Sequence, residues 1–332
     1  MDLRIVHISM GACSFLFGGS RRFGIQKRVQ GMKKIIIAGG SGFLGKVLSD
    51  HFIGRGYSIV VLTRQHQLDG ENISYEKWDG RTLGKWVAQL EGATALINLT
   101  GKSVDCRYSE QNKQLIYDSR IDSTYILGKA IDQLGNPPPV WINSSSATIY
   151  RHTLDKAMDE KSGDIGDGFS VDVCKKWERT FFEANDRVRK VALRIAIVLG
   201  KTGGALQPIK SLARVGLGGK QGKGNQFFSW IHEEDFCRVV DHILNDESVD
   251  GVLNVSSPNP VTNKSIMKAV RKAVGVRLAI PTPRWILAFG AMVIRTETEL
   301  ILKSRKVAPK RLLDIGFSFK YPEIQAAVRS LM

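Results

Sequence analysis

One stretch constrains the fold more than any other: Lys33-Lys34-Ile35-Ile36-Ile37-Ala38-Gly39-Gly40-Ser41-Gly42-Phe43-Leu44-Gly45. A short β-branched run meets a glycine turn, and Leu44, Val47, Leu48 and Phe52 then fall at i, i+3, i+4 and i+8, one face of a helix. Gly54 and Gly56 stop that helix. Strand, glycine turn and helix in this order form a cradle for a dinucleotide pyrophosphate. Gly39 would allow the tight turn off the strand, Gly42 would let backbone approach a phosphate with no Cβ between, and Gly45 would let the helix pack close to the sheet. Ser41, Phe43 and Leu44 complete the turn, where the helix N-terminus offers free N–H groups and a positive dipole end. The spacing is G-x-x-G-x-x-G, which alone would also suit a βα turn with no ligand; its place between a strand and a helix favours the dinucleotide.

The second strand, Ser58 to Leu62, ends in Thr63-Arg64. An acidic residue there would bind a ribose 2′-hydroxyl, whereas a basic one suits a 2′-phosphate, so Arg64 points to NADP(H). Residues 73–78 read as a third strand. Residues 95–99 read as a fourth, apolar enough to be covered on both faces, running into a second small-residue turn at Thr100-Gly101. A helical pattern covers 109–134 and carries Arg120; Pro137-Pro138-Pro139 ends it. Val140-Trp141-Ile142 is a fifth strand, followed by the hydroxyl-rich run from Asn143 to Tyr150. A helix over 171–183 and a strand over 191–199 follow. Such alternation means βαβ units and a doubly wound parallel sheet, whose ligands bind at the carboxyl edge. After Gly200 a glycine-punctuated, loop-rich region holds Phe228-Ser229-Trp230-Ile231-His232; a helix from Asp235 and a strand over 251–255 return, and 261–332 reads as mostly helical with a turn-rich end.

The 332 residues suffice for one large or two modest domains, and 43% hydrophobic with 24% charged residues fits a soluble globular class. Cys13, Cys106, Cys174 and Cys237 form no C-x-x-C, which argues for free thiols in a reducing compartment; no cluster has metal-ligand spacing. The apolar run from Trp285 to Ile294 is too short to span a bilayer. The net charge of +16 raises a nucleic-acid partner, but the basic residues are spread out with no aromatic RNA-binding motif. A solvated basic surface that attracts a polyanionic cofactor accounts for it better, and neither nucleic acid nor membrane is expected as a partner. Residues 1–31 hold five basic residues against Asp2, and Met32 directly precedes the first strand. They read as a leader from an upstream start codon, an organelle presequence or, least well, a signal peptide, and carry no catalytic role. The expected location is the cytoplasm, or an organelle matrix if the leader is a presequence.

Taken together these residues resemble the extended short-chain dehydrogenase/reductases, and within them the atypical NADP-binding "epimerase family" branch, also called cell-division-inhibitor-like. Gly39 to Gly45 matches the family's G-G-x-G-F-[IL]-G, Ile97-Asn98-Leu99-Thr100-Gly101 its I-N-L-A-G, and Ser119-Arg120 its S-R pair. Arg194 to Gly200 with Gly203-Gly204-Ala205-Leu206, then Phe228 to His232, Pro260 to Lys264 and Pro309 to Leu313 continue the match over 33–331. The resemblance implies a Rossmann domain over 32–200, to which 226–257 returns, and a smaller, mostly helical C-terminal domain on the substrate side from 201–225 and 258–332. It implies a cofactor set of Gly39, Ser41, Gly42, Phe43, Leu44, Gly45, Thr63, Arg64, Leu99, Thr100, Arg120 and Val198.

The superfamily's working group is Ser/Thr, Tyr and Lys: an orienting hydroxyl, an acid/base, and a cation that lowers the tyrosine pKa. Ser146 occupies the serine position. The lysine lies four residues before a glutamate in that pattern, and counting back from Glu178 gives Cys174, then Ser170 in place of the tyrosine. The Tyr-x-x-x-Lys pair is therefore missing. Lys175 and Lys176 point elsewhere around the helix, since a turn takes 3.6 residues. Cys174 reads as a thiol acid/base or a buried structural cysteine. Tyr150 is a substitute proton donor or strand-end packing. His232 titrates near neutrality and sits in an aromatic-flanked loop, although the acids after it also read as a helix start. The expected activity is an NADP(H)-dependent oxidoreductase, or a nucleotide-sugar-epimerase-like reaction, on a small carbonyl or sugar-like substrate. The alternative is a catalytically silent NADP-binding sensor or scaffold, for example in cell division or assembly.

Overall fold

The computed structural model describes residues 33–65, 67–184, 186–281 and 303–332; the leader, Cys13 and the apolar run Trp285 to Ile294 lie outside them. Seven parallel strands form the central sheet: β1 (Lys34–Ala38), β2 (Ser58–Thr63), β3 (Ile73–Lys77), β4 (Ala95–Asn98), β5 (Val140–Ser146), β6 (Arg189–Ile195) and β10 (Gly251–Val255). Their order is β10-β6-β5-β4-β1-β2-β3. The chain thus steps outward from β1 to β2 and β3, then restarts beside β1 at β4, which opens a crevice at the carboxyl ends of β1 and β4.

Alternation along the strands splits the core into two layers. Ile35, Ile37, Ile59, Val61 and Ile97 bury one face under α1 (Phe43–Ile53) and α6 (Glu233–Asn245). Ile36, Val60, Leu62, Leu96 and Trp141 bury the other under α2 (Val87–Leu90), α3 (Glu110–Asp132) and α4 (Phe169–Glu183). A third cluster, from α5 (Leu206–Arg214), α7 (Asn263–Ala273) and α9 (Ile324–Ser330), makes the smaller helical region; α8 (Lys310–Asp314) packs against β10.

Two expectations are corrected. The strand expected over 191–199 is two: β6 ends at Ile195, and β7 (Ile197–Leu199) leaves the sheet to pair with β9 (Trp230–His232). Ala196 donates to Val255 O while Ile197 donates to Ser229 O, so the partner changes between adjacent residues. The loop-rich region after Gly200 also contains helix α5; Leu206 and Ala213 are its buried residues, and Pro208 sits in its first turn, where a missing N–H costs nothing. The short strands β8 (Phe227–Phe228) and β11 (Val261–Thr262) pair antiparallel nearby. Among the described residues no helix is long and apolar enough to cross a membrane.

Candidate functional site

The turn after β1 has the geometry of an anion cradle. Gly39 turns with φ +73° and lies so close to the β4 loop that a Cβ there would sit 2.8 Å from Thr100 Cα. A Cβ on Gly45 would overlap the Gly40 carbonyl, so this glycine lets α1 pack on the turn itself rather than on the sheet. Gly42 is different. Its backbone is extended (φ −79°, ψ 178°), and a Cβ would meet nothing nearer than Gly39 O at 3.9 Å. Neither conformation nor packing demands glycine there; what the missing Cβ keeps open is the space in front of α1. No side chain caps α1, and its first turn holds no acid. The buried Thr100 hydroxyl beside Gly39 has no hydrogen-bond partner among the described residues. Open space, uncapped N–H groups and an orphaned hydroxyl fit a phosphate group. At the end of β2, Thr63 is buried and Arg64 exposed.

A cleft of about 520 Å³ adjoins this turn. Of the expected residues it brings together Phe43, Leu44, Leu99, Thr100, Arg120, Ser146 and Val198. Gly39, Ser41, Gly42 and Gly45 lie along the turn, and Thr63 with Arg64 at the β2 end; none of these six is in the cleft lining. Phe43 is seated in glycines: a Cβ on Gly200 or on Gly203 would overlap its ring, and Gly204 turns beside it with φ +70°. Ser146 Oγ donates to Thr148 Oγ1 at 2.9 Å and accepts from the Thr148 N–H, capping the 3-10 turn Ala147–Ile149.

Tyr150 and His232, both expected as proton donors, are given other tasks. Neither lines the cleft. Tyr150 is fully buried; its hydroxyl donates to Asn254 Oδ1 (2.9 Å) or Asp159 O and accepts from Arg194 Nη1 (2.9 Å). Burial raises its pKa further from neutrality. Arg194 in turn makes a two-point ion pair with Glu178, both at 2.8 Å, and Glu178 also accepts from Ser145 Oγ. Tyr150 therefore belongs to a buried network tying β5, β6, β10 and α4 together. His232 caps α6: its Nδ1 accepts from the Glu234 N–H, Nε2 donates to Ser330 Oγ, which itself donates to Ala327 O, and its ring stacks on Tyr321 at 3.9 Å. Burial pushes its pKa down to about 4, so it is neutral at pH 7.

The helix face that should carry Tyr and Lys does meet the cleft, through Ser170, Cys174 and Trp177 of α4. Burial pushes the Cys174 thiol up to about 12, which keeps it a neutral thiol rather than a nucleophile. Lys175 and Lys176 are exposed and outside the lining. Sequence reasoning missed Lys102, Tyr108, Ser145, Thr148 and Trp177 on the cleft wall. The spacing of Ser170, Cys174 and Trp177 at i, i+4 and i+7 was the available signal for Trp177. A buried chain fixes this wall: Trp177 Nε1 donates to Thr124 Oγ1 (2.9 Å), and Asn98 Nδ2 donates to Thr124 Oγ1 and to Asn143 Oδ1.

Comparison with known proteins gives the same frame. Residues 35–168 match the NAD dependent epimerase/dehydratase family, and residues 282–331 match a domain of unknown function, DUF1731. The mouse epimerase family protein SDR39U1 is 31% identical over 302 residues, 90% of this chain and 99% of its own. The chloroplastic SDR39U1 homolog of Arabidopsis thaliana is 30% identical, covering 96% of this chain and 93% of its own. The crystal structure of human SDR39U1 (isoform 2) with NADPH superposes with a TM-score of 0.80 at 31% identity, covering 90% of this chain and 98% of that one. From the glycine turn to the C-terminal helices, this chain belongs to the SDR39U1-like epimerase family, with an extended short-chain-dehydrogenase-type NAD(P)-binding fold.

Proposed function

We propose that the chain binds NADP(H) along the Gly39–Gly45 turn and acts as an oxidoreductase or epimerase on a small carbonyl or sugar-like substrate in the adjoining cleft. Gly42 carries the reading: it is exposed, and its missing Cβ leaves room for a ligand to approach the backbone in front of α1. The turn would hold the pyrophosphate, Thr63 and Arg64 the end bearing the 2′-phosphate, and Leu99, Thr100 and Val198 the nicotinamide side. Exposed basic Arg64 supports NADP(H) over NAD(H), as does the human relative's crystal structure with NADPH. When bound, the dinucleotide supplies or accepts a hydride. Ser146 turns its hydroxyl from Thr148 toward a substrate oxygen. Tyr108, the tyrosine lining the cleft, is the residue to carry the proton that Tyr150 and His232 are too buried to deliver. A small molecule is the only partner proposed. The compartment is the cytoplasm or, with residues 1–31 as a presequence, an organelle matrix, a choice that imaging of the full chain with and without those residues decides.

Titration of the full chain with NADPH and NADH by nicotinamide fluorescence tests the cofactor. Arg64→Glu weakens NADPH by about tenfold or more and NADH far less, because it replaces attraction for the 2′-phosphate with repulsion. Equal loss for both sinks the assignment. A screen of NADPH consumption over aldehydes, ketones and nucleotide sugars, repeated with Tyr108→Phe, then tests turnover. The silent sensor or scaffold is favoured by Ser170 and Cys174, which stand where Tyr and Lys are expected. Tight NADPH binding with no turnover of any compound moves the reading there.

A further inference from the structure

The cleft keeps its polar and its apolar groups apart. Among the described residues that line it there is no aspartate, glutamate, asparagine, glutamine or histidine. Those side chains offer two hydrogen-bonding atoms each, which is what holding the neighbouring hydroxyls of a sugar ring requires. The hydroxyls of β5 are largely spent on the protein itself. Ser144 Oγ donates to Asn98 O (2.9 Å) and Ser145 Oγ to Glu178 Oε1 (2.7 Å). What β5 leaves to the cleft is the Ser146–Thr148 hydroxyl pair at its end.

Three elements converge on an apolar wall. Val104 and Tyr108 come from the loop after β4, Ile116 from α3, and Phe169, Val173 and Trp177 from α4. Phe169 is fixed between two other rings, Tyr108 at 5.0 Å and Tyr117 at 5.6 Å, both edge-on. Cys174, neutral through burial, counts as one more small apolar group. Two cations line the cleft. Arg120 belongs to the cofactor set, and Lys102 offers a single ammonium. A sugar ring against this wall would leave hydroxyls facing carbon, each losing its hydrogen bonds to water without a replacement. A flat apolar ring would bury its surface there and meet Phe169 and Tyr108 in edge-on or offset contacts.

Resting on the cofactor reading above, we infer that the cleft takes an apolar, ring-bearing aldehyde or ketone, its carbonyl oxygen at Ser146 and its ring against Phe169 and Tyr108, and that it excludes nucleotide sugars. One polar point fixes the oxygen, and the apolar wall selects the rest of the molecule.

Calorimetry on the full chain tests this, with and without saturating NADP+, the form of the cofactor that cannot reduce a ketone. Acetophenone and 4-phenyl-2-butanone are the apolar probes and UDP-glucose the polar one. The wild type gives saturable heat with at least one ketone and none with UDP-glucose over the same concentrations. Phe169→Ala weakens the ketone by about tenfold while NADPH affinity stays within about threefold, and Phe169→Leu recovers part, since it restores apolar contact without the ring. Saturable binding of UDP-glucose in the presence of NADP+ overturns the inference, as does absence of saturable heat with both ketones. Unchanged ketone affinity in Phe169→Ala overturns it too. An equal loss of NADPH affinity in that variant assigns the wall to the cofactor and has the same result. Should the wild type fail to bind NADPH, the cofactor reading falls alone, because the cofactor-free titrations still report on the wall. Unfolding midpoints of the three proteins guard against a folding defect.

Discussion

The two sides of the crevice differ in what they keep. On the β1–α1–β2 side every residue of the expected phosphate motif is present, and the turn's geometry is explained only in part by its own packing, since Gly42 has free space. On the α4 and β5 side the hydroxyl Ser146 remains, but Tyr and Lys have given way to Ser170 and Cys174, and the nearby Tyr150 is consumed by a structural network. One wall is shaped around a ligand's space; the other holds the fold together and presents hydroxyls to the cleft. A fold can therefore hold its cofactor grammar fixed while the chemistry beside it is rewritten.

The largest effect tests the claim that the α4 wall is structural. Glu178→Gln leaves the buried Arg194 without its two-point partner, and urea denaturation shows a loss of about 3–5 kcal/mol. Loss of turnover with unchanged stability would mean that this wall is catalytic instead. On the opposite wall Gly42→Val leaves the unfolding midpoint nearly unchanged but weakens NADPH by about a hundredfold, because its side chain fills only the ligand's space. Gly45→Ala does the reverse in kind, destabilising the protein by about 1–3 kcal/mol through overlap with the Gly40 carbonyl.

The next effect is a pH dependence. His232 sits near pKa 4 when folded and 6.5 when unfolded, so the unfolded chain takes up its proton first as pH falls. Its contribution is fully present above about pH 6.5 and lost toward pH 4, at most about 3 kcal/mol. His232→Gln flattens that slope in denaturation measured at a series of pH values; an unaltered slope assigns it to other groups. The smallest effect concerns Cys174. With its thiol at about 12, iodoacetamide at pH 8 modifies it at less than about a tenth of the rate of partly exposed Cys106, as peptide mapping reads.

What the sequence made legible was local. β1 and its turn announce themselves because alternating faces of one short run are buried and the turn residues follow at once. The break at Ala196 was hidden, since residues 191–199 are apolar but for Arg194 and the change of partner is decided by β9, farther along the chain. Helix α5 was hidden by the glycines around it. Tyr150 was misread for a related reason: a tyrosine ending a polar strand looks the same whether it faces a ligand or the core. The groups that capture it, Arg194 and Asn254, come from β6 and β10. His232 was ambiguous locally and was decided by Ser330 and Tyr321, near the chain's end.

The glycine seat around Phe43 has a historical consequence. Because Gly203 is small on account of the Phe43 ring, and Gly200 on account of that ring and the Glu233 carboxylate, substitutions at these positions are not independent events. Gly203→Ala is harmful while Phe43 stands and becomes tolerable once residue 43 shrinks, so the order in which lineages can change is constrained. Drift in the loop after β7 must wait for drift in the first turn of α1, and the phosphate turn thereby holds a distant stretch of sequence still.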